Sequence, residues 1–247
     1  MSQLISITQN RDCMKAMSEF PDKFFELAVV DPPYGIGEAA GKNNSRNKGF
    51  GVSKKASKKI TYSKDYGCKK WDDCPANVEY FLELKRVSKN QIVWGANHFI
   101  SRIPFDSPAW IVWDKCNGES DFADCELAWT SFKSAVRKFE FKWNGLLQHD
   151  MKNKEHRIHP TQKPVALYKW LLTNYAKPGD KILDTHLGSG SSRIAAHDMG
   201  FDFWGYELDA DYFEAQEKRF AAHIAKPALF TPAEMYFAQK KLFDDQI

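Results

Sequence analysis

Short apolar runs rich in β-branched and aromatic residues recur at 27–30, 91–94, 110–113, 127–130, 181–183 and 203–206, and each predicts a strand. Between them the apolar spacing becomes helical. Over 75–87, Val78, Phe81, Leu82 and Leu84 fall near one face, and Pro164 opens a helix through Leu167, Trp170, Leu171 and Leu172 to about Tyr175. Lys177-Pro178-Gly179-Asp180 ends that helix. Strand, glycine-rich turn and helix follow over 181–199, then another strand and helix from Phe203 to about Ile224. The alternation predicts an α/β fold with a mainly parallel sheet and helices on both faces. Phe139, Phe141 and Trp143 alternate with Lys138, Glu140 and Lys142, which predicts one two-faced strand with its aromatics in the core. Residues 226–247 read as a peripheral tail with one short helix.

Composition narrows the class. With 247 residues, 43% of them hydrophobic, one core and a single domain over 1–247 are expected. No apolar run approaches the ~20 residues of a bilayer span. Residues 1–10 lack the basic-then-apolar layout of a signal peptide, so the expectation is a soluble, cytoplasmic protein. The five cysteines, Cys13, Cys68, Cys74, Cys116 and Cys125, contain no C-x-x-C pair. They predict reduced thiols in or near the core, with neither a disulfide framework nor a metal site.

Charge is concentrated in one place. Between Gly41 and Lys70, ten basic residues face a single acid, Asp65, giving +9 and leaving −6 for the rest of a chain whose total is +3. Residues 38–70 therefore read as a mobile basic loop suited to a polyanion, with Lys42, Arg46, Lys48, Lys54, Lys55, Lys58 and Lys59 as candidate phosphate contacts. The plain alternative is a solvated insertion that keeps the chain soluble.

Two chemical centres follow the strands. Asp31-Pro32-Pro33-Tyr34 lies directly after the run 27–30, where ligands bind in open α/β sheets. The two prolines fix a rigid turn presenting carbonyl acceptors, a carboxylate and an aromatic face. Asp31 and the Pro32 carbonyl can each accept one N–H of an exocyclic amino group while Tyr34 stacks on its ring. The alternative is a loop whose Tyr34 merely packs. The second centre is Asp184-Thr185-His186-Leu187-Gly188-Ser189-Gly190-Ser191-Ser192, followed by Glu207 at the end of the next strand, placed to bind ribose hydroxyls. A dinucleotide fits less well than a cationic, ribose-bearing cofactor, because the third glycine of G-x-G-x-x-G falls at Arg193 and Asp184 precedes the turn.

These motifs, with His159-Pro160-Thr161-Gln162-Lys163-Pro164 between them, resemble the amino DNA methyltransferases of the β arrangement, over about residues 7–220. The resemblance implies a Rossmann-like S-adenosylmethionine-dependent methyltransferase sheet with a reversed edge strand. It also implies circular permutation, with the catalytic motif before the cofactor motif, and a small basic recognition insertion. Carried over by position, Asp31, Pro32, Pro33 and Tyr34 hold a flipped base. Asp184, Gly188, Ser189, Gly190, Glu207 and Leu208 hold S-adenosyl-L-methionine, with His159, Thr161 and Lys163 closing the pocket. Thr185-His186 stand where the family has Pro-Phe; His186 borders the pocket and reads as a packed or hydrogen-bonded histidine, since the transfer needs no base there.

The implied activity is adenine-N6 methylation of double-stranded DNA. Asp31 leans to adenine, since the related cytosine-N4 enzymes more often have Ser at that position; cytosine N4 remains the competitor. Cytosine C5 chemistry needs a Pro-Cys nucleophile, and only the reverse, Cys74-Pro75, occurs. Glutamine methyltransferases have Asn-Pro-Pro-Tyr after the cofactor motif, the opposite order. The segment 133–158, with Arg137 and Lys138 as phosphate contacts, is expected to help read the target. A homodimer, a companion restriction endonuclease and a non-catalytic DNA-binding protein of the same fold stay open.

Overall fold

The computed structural model describes residues 4–36, 72, 74–118, 123–144, 147–227 and 229–244. The expected basic loop 38–70, and with it Lys42, Arg46, Lys48, Lys54, Lys55, Lys58 and Lys59, lies outside the described residues. In chain order the elements are β1 (Ser6–Asn10), α1 (Cys13–Met17), β2 (Phe25–Val30), α2 (Val78–Val87), β3 (Ser88–Trp94), β4 (Trp110–Asp114), β5 (Cys125–Thr130) and β6 (Arg137–Glu140). There follow β7 (Trp143–Asn144), β8 (Leu147–Gln148), α3 (Val165–Tyr175), β9 (Lys181–Asp184), α4 (Ser191–Met199), β10 (Asp202–Glu207), α5 (Ala210–Ile224) and α6 (Pro232–Asp244).

Eight strands form one sheet in the order β1-β10-β9-β2-β3-β5-β4-β6, and β7 pairs with β8 in a separate hairpin. All neighbours in the large sheet are parallel except that β5 runs against both β3 and β4. The reversed strand is therefore present, but it is interior. β4 and β6 extend the sheet beyond it, because part of the segment expected to read the target supplies the edge strand β6.

Period-two alternation divides the core. Leu27, Val29, Ile92, Trp94, Ile111, Trp113 and Ile182 face α3 and α4, while Ala28, Val30, Val93, Trp129, Leu183 and Trp204 face α1 and α2. Each such Val, Leu or Ile side chain contributes roughly 1.5–3 kcal/mol on burial. Local signals set the helix ends: Asn77 Oδ1 accepts from Tyr80 N at 3.0 Å to cap α2, and Asp209 Oδ1 accepts from Asp211 N at 3.0 Å to cap α5.

The connections position the site. From β2 the chain runs through α2 to β3 on one side, and from the adjacent β9 it runs through α4 to β10 on the other. Neighbouring parallel strands whose connections part in opposite directions open a crevice at their carboxyl ends. Both sequence centres end these two strands.

Three further expectations are corrected. The aromatic alternation is not one strand: β6 ends at Glu140 and Trp143 begins β7, although Phe139 and Trp143 are buried as expected. The tail is not peripheral throughout, since Tyr236 on α6 is buried against Phe201 and its hydroxyl donates to the Ala176 carbonyl at 3.1 Å. Of the cysteines within the described residues, Cys74, Cys116 and Cys125 are exposed, because they sit in loops and at a strand start, whereas Cys13 begins α1 and packs half-buried against the core as expected. Among the described residues no helix is long and apolar enough to cross a membrane.

Candidate active site

Asp31 follows the last residue of β2, and the Pro32-Pro33 turn swings Tyr34 back so that its hydroxyl donates to Asp31 Oδ1 at 2.6 Å. The loop is held from behind: the Tyr34 and Gly35 amides both donate to Asp72 Oδ1 at 2.8 Å. Tyr34 stacks on the exposed His98 ring at 5.0 Å and 15°. Gly95, at the end of β3, makes room for it. Its φ is +68°, and a Cβ there would stand 2.0 Å from the Tyr34 ring.

The other oxygen of Asp31 is taken by a residue from far along the chain. Lys163 Nζ donates to Asp31 Oδ2 at 2.5 Å and to the Tyr34 hydroxyl at 3.2 Å, and it lies 3.2 Å from Glu126 Oε2. Glu126 Oε1 in turn is ion-paired with Lys115. The Lys163 side chain is only 3% exposed. Burial works against its charge, but Asp31 and Glu126 outweigh burial and raise its pKa. Burial likewise opposes the Glu126 carboxylate, while Lys163 and Lys115 hold it at about 2. Burial and the Asp31 charge push the Tyr34 phenol well above its ordinary value, so it is a neutral donor. The resemblance implies a place for Lys163 on the cofactor side; the structure places its ammonium on the Asp31 carboxylate.

The glycine loop lies beside this cluster, after β9. Asp184 is buried, accepting from Ser192 Oγ at 2.5 Å and from the His186 amide at 3.0 Å, and burial lifts its pKa to about 7. Glu207 closes the loop from the end of β10: Oε2 accepts from Gly188 N at 2.8 Å and Oε1 from Asp209 N at 2.9 Å. Burial raises its pKa too. Gly188 and Gly190 are left-handed, with φ +50° and +71°, and Gly190 starts α4. Across the loop His159 packs edge-on against Tyr212 at 4.2 Å, and its Nδ1 accepts from the Thr161 amide at 3.3 Å. A Cβ at Gly188 would lie 3.8 Å from the His159 ring, filling the space between loop and ring. Ser189 is buried, its carbonyl accepting from Arg219 at 2.7 Å. Leu208, beside Glu207, is 70% exposed.

His186 is held by Thr185 Oγ1 at 3.0 Å, which also meets the Tyr80 hydroxyl at 2.6 Å. Burial depresses its pKa to about 4, so it is neutral near pH 7. It is a packed, hydrogen-bonded histidine.

Arg137 and Lys138 are not brought to this crevice. They lie on β6, four strands from β2, or roughly 19 Å at ~4.8 Å per strand. Lys138 is ion-paired there with Glu140. Sequence reasoning missed Glu126, Lys115, Asp72, Gly95 and His98 around Asp31, and Arg219 and Glu155 behind the glycine loop, where Arg219 Nη2 donates to Glu155 Oε2 at 2.7 Å. Among the described residues His197, Asp198 and His223 have metal-like spacing, but Lys169 Nζ, 2.7 Å from Asp198 Oδ2, already supplies a cation.

A sequence profile of a DNA methylase family, N6_N4_Mtase, matches residues 52–218, more than half of the chain. The chain belongs to the N6/N4 DNA methylase family. The type II methyltransferase M.HinfI of Haemophilus influenzae is 21% identical over 239 residues, which cover 84% of this methylase and 66% of that protein. Among solved structures, TTHA0409 of Thermus thermophilus complexed with S-adenosyl-L-methionine superposes with a TM-score of 0.54 at 17% identity, covering 91% of this methylase and 98% of that chain. The cytosine-N4-specific PvuII DNA methyltransferase gives 0.55 at 12% identity, covering 98% and 94%. The likeness to both confirms the Rossmann-like methyltransferase sheet.

Proposed function

We propose that this methylase transfers a methyl group from S-adenosyl-L-methionine to the N6 amino group of an adenine flipped out of double-stranded DNA. The observation that carries the reading is the Asp31 carboxylate at the end of β2, held between Lys163 and Tyr34 and flanked by Asp184 and Glu207 at the ends of the next two strands.

The residues present fit the cofactor. The Asp184 and Glu207 carboxylates at the ends of neighbouring strands suit a cation. Each Glu207 oxygen accepts one amide and keeps a second lone pair for a ribose hydroxyl. Asp184, Gly188, Ser189, Gly190 and Leu208 would line one wall of that pocket, His159 and Thr161 the other. When bound, the cofactor supplies an electrophilic sulfonium methyl whose C–S bond pair stays with the departing thioether.

The chain's own groups do the rest. A flipped base stacks against Tyr34, offsetting part of the few kcal/mol that extrusion costs. Its amino group replaces the Tyr34 hydroxyl on Asp31 Oδ1 and gives its second N–H to the Pro32 carbonyl. Both acceptors draw density onto a nitrogen whose lone pair is otherwise conjugated with the ring, so that it can attack the methyl carbon. As the N–C bond forms the nitrogen sheds one proton, and Asp31 is the acceptor at hand. The lysine-rich segment 38–70 grips phosphates, and the exposed part of 133–158 contributes to reading the site.

The test is to incubate the chain with unmethylated duplex DNA and S-adenosyl-L-methionine, digest to nucleosides and identify the product by mass spectrometry. N6-methyladenine is expected. N4-methylcytosine would keep the mechanism and change the base, and no modified nucleoside with cofactor binding intact would leave a binding protein.

A further inference from the structure

The functional edge of the sheet collects the carboxyl ends of its parallel strands, and residues just after those ends carry the chemistry. A reversed strand reaches the same edge with its start. Glu126 is the second residue of β5, opposite Trp113 of β4, and so arrives beside Asp31 from a position that no motif following a parallel strand marks. We infer that Glu126 is a positioning residue for the proposed transfer: by holding Lys163 it fixes the Asp31 carboxylate so that one oxygen alone is presented to the target amino group. The inference rests on the proposed function.

The geometry is a line of alternating charge, Lys115 to Glu126 to Lys163 to Asp31, ending on the Tyr34 hydroxyl. Lys163 donates to Asp31 Oδ2 at 2.5 Å and to the Tyr34 hydroxyl at 3.2 Å, and the Glu126 Oε2 charge stands 3.2 Å from Nζ as an ion pair, so three oxygens hold the ammonium in place. Glu126 Oε2 is shielded from solvent and accepts no hydrogen bond, so the Lys163 charge 3.2 Å away is what compensates it, and losing either charge leaves the other buried and uncompensated. The groups facing Lys163 are Asp31 and Tyr34 from the turn after β2 and Glu126 from β5, with Lys115, just after β4, acting through Glu126; the buried Tyr168 phenol of α3 lies within reach of the charges of Asp184, Asp31 and Glu126. The Trp94 ring of β3 adds a face 5.6 Å from Nζ.

Two substitutions move Lys163 in opposite directions. Glu126→Gln keeps an acceptor and removes a charge, so Lys163 gives up its proton more readily. Lys115→Met leaves Glu126 without its second cation and holds the Lys163 proton more tightly. Lys163 holds its proton above the ordinary lysine value in the wild type, so the wild-type rate of amino-methylated nucleoside formation under cofactor saturation should stay level from about pH 6 to 10, and a more readily lost proton shows as an alkaline fall entering that range. With Glu126→Gln we expect kcat at neutral pH to fall by about tenfold or more, KM for DNA and the cofactor Kd to change less than about threefold, and an alkaline fall to enter the range. With Lys115→Met no alkaline fall enters, and Glu126→Asp restores part of the rate lost in Glu126→Gln. A Glu126→Gln protein with wild-type kcat and a level alkaline end, or the same alkaline fall in Glu126→Gln and Lys115→Met, overturns the inference while wild-type turnover stands. A wild type that methylates no DNA removes the proposed function and this inference with it. Should Glu126→Gln fail to fold, Glu126→Asp decides alone: wild-type kcat with the shortened side chain overturns the inference.

Discussion

The ammonium of Lys163 stands 2.5 Å from Oδ2 of Asp31, a residue 132 positions earlier in the chain. This contact joins the segment between the two motifs to the Asp31-Pro32-Pro33-Tyr34 turn, and it separates two roles for the lysine. A cofactor ligand would change cofactor affinity; a clamp on Asp31 changes turnover. Lys163→Met should therefore lower kcat by roughly 10²–10³, in the range for loss of one preorganised donor, with cofactor Kd within about threefold of wild type by calorimetry. A large loss of affinity with little loss of kcat would return Lys163 to the cofactor side. Asp31→Ala should abolish transfer and also leave affinity near wild type, since Asp31 lies at the base and not in the glycine loop.

Gly95 has a narrower task. Its left-handed φ of +68° and the 2.0 Å approach of a Cβ to the Tyr34 ring mean that Gly95→Ala must strain the backbone and move the tyrosine. The backbone part alone costs about 1–2 kcal/mol. We expect a lower unfolding midpoint in urea and a fall in turnover larger than any change in cofactor affinity. A variant with wild-type kinetics would show that Tyr34 need not sit over Gly95.

How much of the fold and site is legible in the sequence follows from which signals are local. Runs such as 27–30 and 181–183 and the turns after them are legible because strand, turn and ligand-facing group are contiguous in sequence. β1 is not, since Ser6, Gln9 and Asn10 give no apolar run and the strand exists by pairing with β10. Strand 127–130 is legible as a strand, but periodicity carries no direction, so Glu126 at its start has no visible link to Asp31. Lys163 is legible as a motif residue, and its partner is not: ion pairs across more than a hundred residues are set by topology. Gly95 leaves a trace, a glycine directly after an apolar run, of the same kind as the loop glycines.

Asp184 gives a pH dependence. Its carboxyl titrates near 4 when unfolded and at about 7 in the fold, where burial disfavours the charge. Below pH 4 both states are protonated. Between 4 and 7 the unfolded chain releases a proton that the folded one keeps, so this group's contribution to stability falls as pH rises, by about 4 kcal/mol in full at ~1.4 kcal/mol per unit. Asp184→Asn should remove that fall, seen in urea unfolding at pH 5 and pH 8. A cationic cofactor favours the ionised carboxylate, so wild-type affinity should rise from pH 6 to pH 8 and the variant's should not. Equal pH slopes of affinity in the two proteins would take Asp184 out of the binding step.

His186 contributes with the opposite sign in nearly the same window. Unfolded, its imidazole titrates near 6.5; folded, burial holds it neutral down to about 4. Its contribution is present above pH 6.5 and is lost as pH falls towards 4, by about 3 kcal/mol at the same conversion. These two contributions oppose each other and largely offset one another between pH 4 and 7. Relative to the wild type, Asp184→Asn should then make the slope of stability with pH more positive, and His186→Asn should make it more negative. The same His186→Asn protein tests the chemistry. A neutral, hydrogen-bonded imidazole takes no proton in the transfer, so the acid limb of kcat should coincide with that of the wild type. A limb that disappears in the variant would make His186 the base and move proton removal away from Asp31.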